Sequence, residues 1–255
     1  MTLLETCDLT LAIGGRTLCA GLDLKLHAGD NWAILGANGS GKTTLLHALS
    51  GLRHADRGQV LLGDRDIRQV HPRKLALARA VLLQEAEAGF AGNVMQTVLS
   101  GRHPHLRAWQ WENAEDWRIA SAALAAVDLS ACGERALATL SGGERRRVEI
   151  AALIAQDAPI CLLDEPTNHL DLHHQIRVLQ LLTARTSRLK HANIMVLHDV
   201  NLATRFCSHG LFLMANGQHR HGRLDTVLDI GLLEQVYGCQ FRQLGRNEDR
   251  VFLPA

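Results

Sequence analysis

The sequence has no long apolar run. Its longest, such as Ile160–Leu163 and Ile194–Leu197, are strand-sized, far short of the roughly 18 residues that a membrane-spanning helix needs. It also lacks an excess of either charge: 27 basic residues stand against 26 acidic ones, which argues against a nucleic-acid partner or an anionic membrane surface. Met1-Thr2-Leu3-Leu4-Glu5 does not show the basic-then-apolar order of a signal peptide, so the chain is expected in the cytosol. Six scattered cysteines (Cys7, Cys19, Cys132, Cys161, Cys207, Cys239) form no CxxC pair, the pattern of reduced structural thiols rather than disulfides or zinc ligands. No internal repeat and no low-complexity linker breaks the 255 residues.

What is present is a change of texture along the chain. Leu9, Leu11 and Ile13 alternate in strand fashion, Gly14-Gly15 supplies a tight turn, and Leu22, Leu24 and Leu26 alternate with Asp23, Lys25 and His27. These predict antiparallel strands. Trp32-Ala33-Ile34-Leu35 then runs into a glycine-rich loop and a helix with Leu45, Leu46, Leu49 and Leu52, the opening of a parallel α/β sheet. From about Glu85 to Pro159, alanine and leucine at helical spacing take over, in Ala120–Val127 and Val148–Ala155. Strand-like runs return at Ile160–Leu163, Ile194–Leu197 and Leu211–Met214. The expected organisation is an α/β core with an antiparallel β subdomain over 1–84 and 159–255, interrupted by a helical subdomain over 85–158. His219-Arg220-His221, after Asn216-Gly217, is expected at a polar hairpin tip.

Gly36-Ala37-Asn38-Gly39-Ser40-Gly41-Lys42-Thr43 matches GxxxxGK[ST] between the predicted strand and helix. Glycines let the backbone curl so that its N–H groups surround a phosphate chain, and the helix N-terminus adds its dipole. Lys42 then suits the β- and γ-phosphates and Thr43 a Mg²⁺ ion, which makes the ligand a nucleoside triphosphate. Asp164-Glu165 ends the apolar run 160–163, where open α/β sheets bind ligands. Asp164 suits the Mg²⁺ shell and Glu165 a base that polarises water.

Leu140-Ser141-Gly142-Gly143-Glu144 closely resembles the LSGGQ signature of ABC ATPases, with glutamate in the last place, and lies between the two preceding motifs as in that family. Gln84 resembles the Q-loop, Asn168-His169-Leu170-Asp171 the D-loop, and His198 the switch histidine. The resemblance covers nearly the whole chain and implies a P-loop ABC ATPase fold with bound ATP and Mg²⁺. It implies contacts to ATP from Gly36, Asn38, Gly39, Ser40, Gly41, Lys42, Thr43 and Thr44, and from Ser141, Gly142, Gly143 and Asp171. Glu165, His198 and Gln84 become the hydrolytic residues, and Thr43, Gln84 and Asp164 the Mg²⁺ ligands. Ser141 and its glycines open an alanine-rich helix, and the resemblance implies that this second anion-binding N-terminus caps nucleotide held by a partner, so the working form is a homodimer. Arg145-Arg146-Arg147 are expected as a solvated or salt-bridged face. His169, His173 and His174 have near-helical spacing with Asp171, but the D-loop accounts for them. Ile13 stands where the family often stacks adenine on an aromatic ring, so adenine binding is expected to be weaker or less base-selective than usual.

Gly101-Arg102-His103-Pro104-His105, Leu197-His198-Asp199-Val200-Asn201-Leu202 and Val236-Tyr237-Gly238 are similar to stretches in ATPases of importers for iron–siderophore complexes, haem and cobalamin. The expected partners are separate transmembrane permease subunits and a substrate-binding protein, with the chain on the cytoplasmic side of the membrane. Trp109, Trp111 and Trp117 are either internal packing or part of a cleft for a permease helix. The same stretches disfavour an exporter ATPase. One domain, no heptad run and no basic patch disfavour a soluble ABC ATPase acting on ribosomes or DNA, and no nucleic-acid partner is expected.

Overall fold

Alternating burial shapes the first strands. The structure, a computed structural model, describes residues 1–84, 92–245 and 250–255. The chain opens with β1 (Thr2–Ile13), β2 (Arg16–Leu22) and β3 (Lys25–His27). Leu4, Leu9 and Leu11 of β1 and Leu22 of β2 point into the core, fully buried. Ile13 pairs with Arg16 across Gly14-Gly15, whose φ values of 56° and 80° are the left-handed pair that a two-residue type I′ turn requires. β4 (Asn31–Gly36), α1 (Lys42–Leu49), β5 (Arg57–Leu62) and β6 (Arg65–Asp66) follow.

Residues 71–191 form one compact unit, and 1–70 with 192–255 form another. The first of these holds α2 (Pro72–Ala78), β7 (Arg79–Leu82), α3 (Val94–Ser100), α4 (Ala114–Ala126), α5 (Gly142–Gln156), β8 (Ile160–Asp164) and α6 (Leu172–Leu189). β7 and β8 pair in parallel, and all five residues of β8 are buried, as a strand covered on both faces must be. The GRHPH stretch ties the helices of this unit together. Arg102 is buried, with Nε donating to Asp116 at 3.0 Å and Nη1 to the Ala155 carbonyl at 2.8 Å. His105 Nε2 lies 2.8 Å from the Gln156 carbonyl, and Arg73 Nε donates to the Pro104 carbonyl at 3.0 Å. Residues 85–91, where the helical subdomain was expected to begin, lie outside the described residues.

The other unit resumes with β9 (Ala192–Val196), α7 (Val200–Phe206), β10 (His209–Leu213), β11 (His219–Arg223), α8 (Leu224–Val227), α9 (Ile230–Tyr237), β12 (Phe241–Leu244) and β13 (Val251–Pro254). An antiparallel sheet runs β2-β1-β5-β6, with β3 also on β1. A second sheet runs β11-β10-β4-β9, in which β4 lies parallel to both β9 and β10. His219 and His221 depart from the expectation of a hairpin tip. They lie on β11, paired with β10 in the register Leu211↔His221, and so project from one side of the strand. His219 and His221 stack with ring centroids 5.6 Å apart, His221 leans on Trp32 at 6.2 Å, and Trp32 stacks on His209 at 4.7 Å. Partial burial in this row pushes all three imidazoles below their ordinary value. Among the described residues no helix is long and apolar enough to cross a membrane.

Candidate nucleotide site

β4 delivers the glycine loop. Its residues from Trp32 to Gly36 are all buried, which fixes the loop's starting point, and the chain turns at Gly39 before α1 begins at Lys42. Gly41 occupies the position before the helix at φ 99°, and a Cβ there would meet Leu18 of β2 at 2.9 Å. Only glycine satisfies both conditions. Leu18 thus seats the strand that follows the Ile13 turn against the loop, while Ile13 itself is 49% exposed. Asn38 and Gly39 form the exposed tip, and Ser40 is buried. Lys42 is buried within the loop, its Nζ donating to the carbonyls of Gly36 at 2.8 Å and Ala37 at 3.0 Å. Thr43 and Thr44 follow it on the first turn of α1, each partly accessible.

In the same unit, the Leu197 amide donates to the Ile34 carbonyl at 3.2 Å, which carries the β4–β9 ladder up to the exposed His198. Tyr237 at the end of α9 is mostly buried, and burial pushes its hydroxyl up to about 12.

In the unit of residues 71–191, Asp164 is fully buried at the end of β8. Glu165, one residue on, has φ 48°, a left-handed conformation that costs a non-glycine residue energy. Its Oε2 accepts from Asn168 Nδ2 at 2.8 Å and from Gln84 Nε2 at 3.4 Å. Two of the expected hydrolytic residues, Gln84 and Glu165, thus come together, and Asn168 joins them unforeseen.

Ser141 caps α5. Its Oγ accepts from the Glu144 amide at 3.2 Å while Glu144 Oε2 accepts from the Ser141 amide at 2.9 Å, a reciprocal capping box. The glutamate that stands in place of the family's glutamine is neutralised by Arg135, 2.9 Å away. The Ser141 amide and Arg135 hold its carboxyl down at about 2. Gly143 is required by a close approach, since a Cβ would meet the His169 carbonyl at 2.8 Å. The signature and the Asn168–Asp171 turn are therefore packed together, and Ser141, Gly142, Gly143, Arg147, Asp171 and His174 border an open groove of about 480 Å³. Asp171 caps α6 and accepts from the His174 amide and ring at 2.9 Å, which hold its carboxyl below the usual range.

Of the three arginines expected on a solvated or salt-bridged face, Arg146 is salt-bridged to Glu149, but buried rather than solvated. Arg146 is 4% exposed, Arg147 is half-buried, donating to the Val127 carbonyl at 3.0 Å, and Arg145 is half-buried too. Arg146 Nη1 donates to the Leu83 carbonyl at 2.7 Å and to Glu149 at 2.9 Å, and Nη2 donates to the carbonyls of Asp164 and Glu165. Its packing against segments far away in sequence left no local signal.

A glycine loop closing on a buried lysine lies in one unit, and a carboxylate pair ending a buried strand and a serine–glycine helix start lie in the other. These are the parts of a nucleotide-hydrolysing P-loop cassette. A model of the ABC transporter family matches residues 19–168. The chain is 40% identical over 234 residues to the hemin import ATP-binding protein HmuV of Myxococcus xanthus, covering 89% of this chain and 86% of that protein. It is 36% identical over 236 residues to the petrobactin import ATP-binding protein FpuD of Bacillus anthracis, covering 92% and 86%. A structure described as an inward-facing ABC transporter of the metal-chelate type contains a similar chain, with TM-score 0.85, 26% identity and coverage of 100% and 98%. A dimeric bacterial ABC transporter cassette shares the fold, with TM-score 0.78, 23% identity and coverage of 87% and 98%. The chain belongs to the ABC transporter family, and it is an ATPase.

Proposed function

We propose that the chain is the ATP-hydrolysing subunit of an importer for a metal chelate. In this reading it works as a homodimer on the cytoplasmic side of the membrane, beneath transmembrane permease subunits that a separate substrate-binding protein supplies with cargo. The names of the relatives support haem and ferric siderophores as cargo ahead of cobalamin. Residues 85–158 act as the signature subdomain, with 1–84 and 159–255 as the core. The observation that carries the dimer is the groove at the start of α5. The amides of Gly142 and Gly143 begin a 15-residue helix there, beside Asp171. A helix start of this kind attracts phosphate, and a second copy presenting its own nucleotide would supply one, in return for capping this chain's.

Lys42 exchanges its bonds to the Gly36 and Ala37 carbonyls for oxygens of the β- and γ-phosphates, a stronger charge-assisted pairing. The backbone around Gly39, Ser40 and Gly41 and the hydroxyls of Thr43 and Thr44 hold the phosphate chain. The Thr43 hydroxyl, the Asp164 carboxylate and the Gln84 amide oxygen are hard oxygen donors of the type Mg²⁺ takes; they would hold the ion, which when bound would neutralise phosphate charge. Glu165, steadied by Asn168, takes a proton from the water that attacks the γ-phosphorus, while His198 holds a γ-phosphate oxygen. The bond to ADP breaks and inorganic phosphate leaves.

Glu165→Gln tests the assignment. It should bind ATP yet hydrolyse it at least about 100-fold more slowly, the scale of a lost general base, and should elute as a dimer in sizing chromatography with ATP. A variant that stays monomeric and keeps full turnover overturns the reading.

A further inference from the structure

Arg146 lies five residues beyond Ser141 on the helix that the signature opens. Its two terminal nitrogens reach three carbonyls on two segments: Leu83, next to Gln84, and Asp164 and Glu165 at the end of β8. Glu149, one turn on along the same helix, balances its charge at 2.9 Å. A guanidinium can do this because its donors are fixed in one plane, whereas a lysine ammonium is a point charge on a flexible stem. The two segments it ties are those whose side chains meet, Gln84 Nε2 lying 3.4 Å from Glu165 Oε2. Glu165 also holds a left-handed φ of 48°, which persists only where surrounding contacts enforce it. The buried fork on its carbonyl is such a contact.

We infer that Arg146 is a positioning residue for hydrolysis: it locks the backbone of Glu165 and the approach to Gln84 onto the signature helix. This rests on Glu165 acting as the base and on α5 capping a phosphate, as proposed above. One rigid helix then carries the phosphate cap at its first turn and the clamp on the hydrolytic glutamate at its second. Seating of the cap and alignment of Glu165 become a single mechanical event. Glu149 keeps the clamp neutral, so the buried charge is not itself a binding site.

The test is a double-mutant comparison in the full chain, measured by single-turnover ATP hydrolysis and by ATP affinity. Arg146→Gln should lower the hydrolysis rate at least about tenfold, since small misplacement of a reacting group is costly, with ATP affinity changed less than about twofold. In a Glu165→Gln background, Arg146→Gln should cost less than about twofold further, because the residue acts through Glu165. If Arg146→Gln does not fold, Arg146→Lys keeps the charge opposite Glu149 but loses the fork, and the same comparison applies. Wild-type turnover in the arginine variant overturns the inference. So does a loss that persists undiminished in the Glu165→Gln background, or one accompanied by lost ATP affinity. Full turnover in Glu165→Gln alone sinks the assignment of the base instead, so the two failures are distinguishable.

Discussion

Replacing Arg102 with methionine should destabilise the unit of residues 71–191 far more than a surface charge substitution does. The Arg102 and Asp116 side chains are 10% and 5% exposed, so this is a buried ion pair. Removing one partner of such a pair costs about 3–5 kcal/mol, because the other charge stays buried and uncompensated. Here the lower end applies. Asp116 Oδ2 still accepts from the Asn113 amide at 3.1 Å, while the Ala155 carbonyl loses its 2.8 Å donor. A loss of about 3 kcal/mol corresponds to a fall in Tm of about 6–12 °C for a chain of this size. Burial by itself would raise the Asp116 pKa, but the Asn113 amide and the Arg102 guanidinium outweigh it and hold the carboxyl below its ordinary value. A folded value below the unfolded one means stability that is complete above about pH 4 and lost as pH falls through the folded value. The gap between native chain and variant should therefore narrow in acid. Circular dichroism melts at pH 7 and pH 3.5 read both effects, and Arg102→Met with Asp116→Asn completes a cycle. A cost under about 1 kcal/mol, or single effects that add to within about 0.5 kcal/mol, would refute the buried-pair account.

Two further outcomes bear on the nucleotide site. Lys42→Ala should lose tight ATP binding and Ser141→Arg should keep it, each alone being inactive; mixing the two should restore part of the ATPase rate, because one composite site of a mixed dimer escapes both defects. No recovery on mixing would mean that each chain is a self-contained enzyme. With Ile13 offering an aliphatic surface, the missing stacking term is about 1–3 kcal/mol, so GTP should compete with ATP within about tenfold and Ile13→Tyr should tighten ATP binding. Strong ATP preference that is indifferent to Ile13, measured by competition titration, would assign the base to another residue.

What was legible in the sequence is what backbone chemistry dictates locally. The Gly14-Gly15 turn, the strand–loop–helix around Lys42 and the helix opening at Ser141 each follow from glycine conformations and capping residues within a few positions. Asp164 and Glu165 at the end of an apolar run are of the same kind. What was not legible depends on segments far apart in the chain. Nothing near Arg146 shows that it is buried, because its partners at Leu83 and Asp164 are 63 and 18 residues away. Three consecutive arginines on a helix look solvated until the neighbours are known. His219 and His221 resembled a turn because glycine and asparagine precede them, yet their pairing with β10 turns them into a stacked row against Trp32.

β11 has a consequence for how copies of the chain associate. In its unit it is the terminal strand of the sheet, and it reads His-Arg-His-Gly-Arg, with Arg220 and Arg223 exposed. A terminal strand with unpaired amides and carbonyls is a template for strands from other molecules, and such addition has no natural end. Charged side chains on that edge, Arg220 and the Arg223–Asp225 ion pair, must give up water before another strand can add. Open-ended polymerisation through the sheet is thereby discouraged.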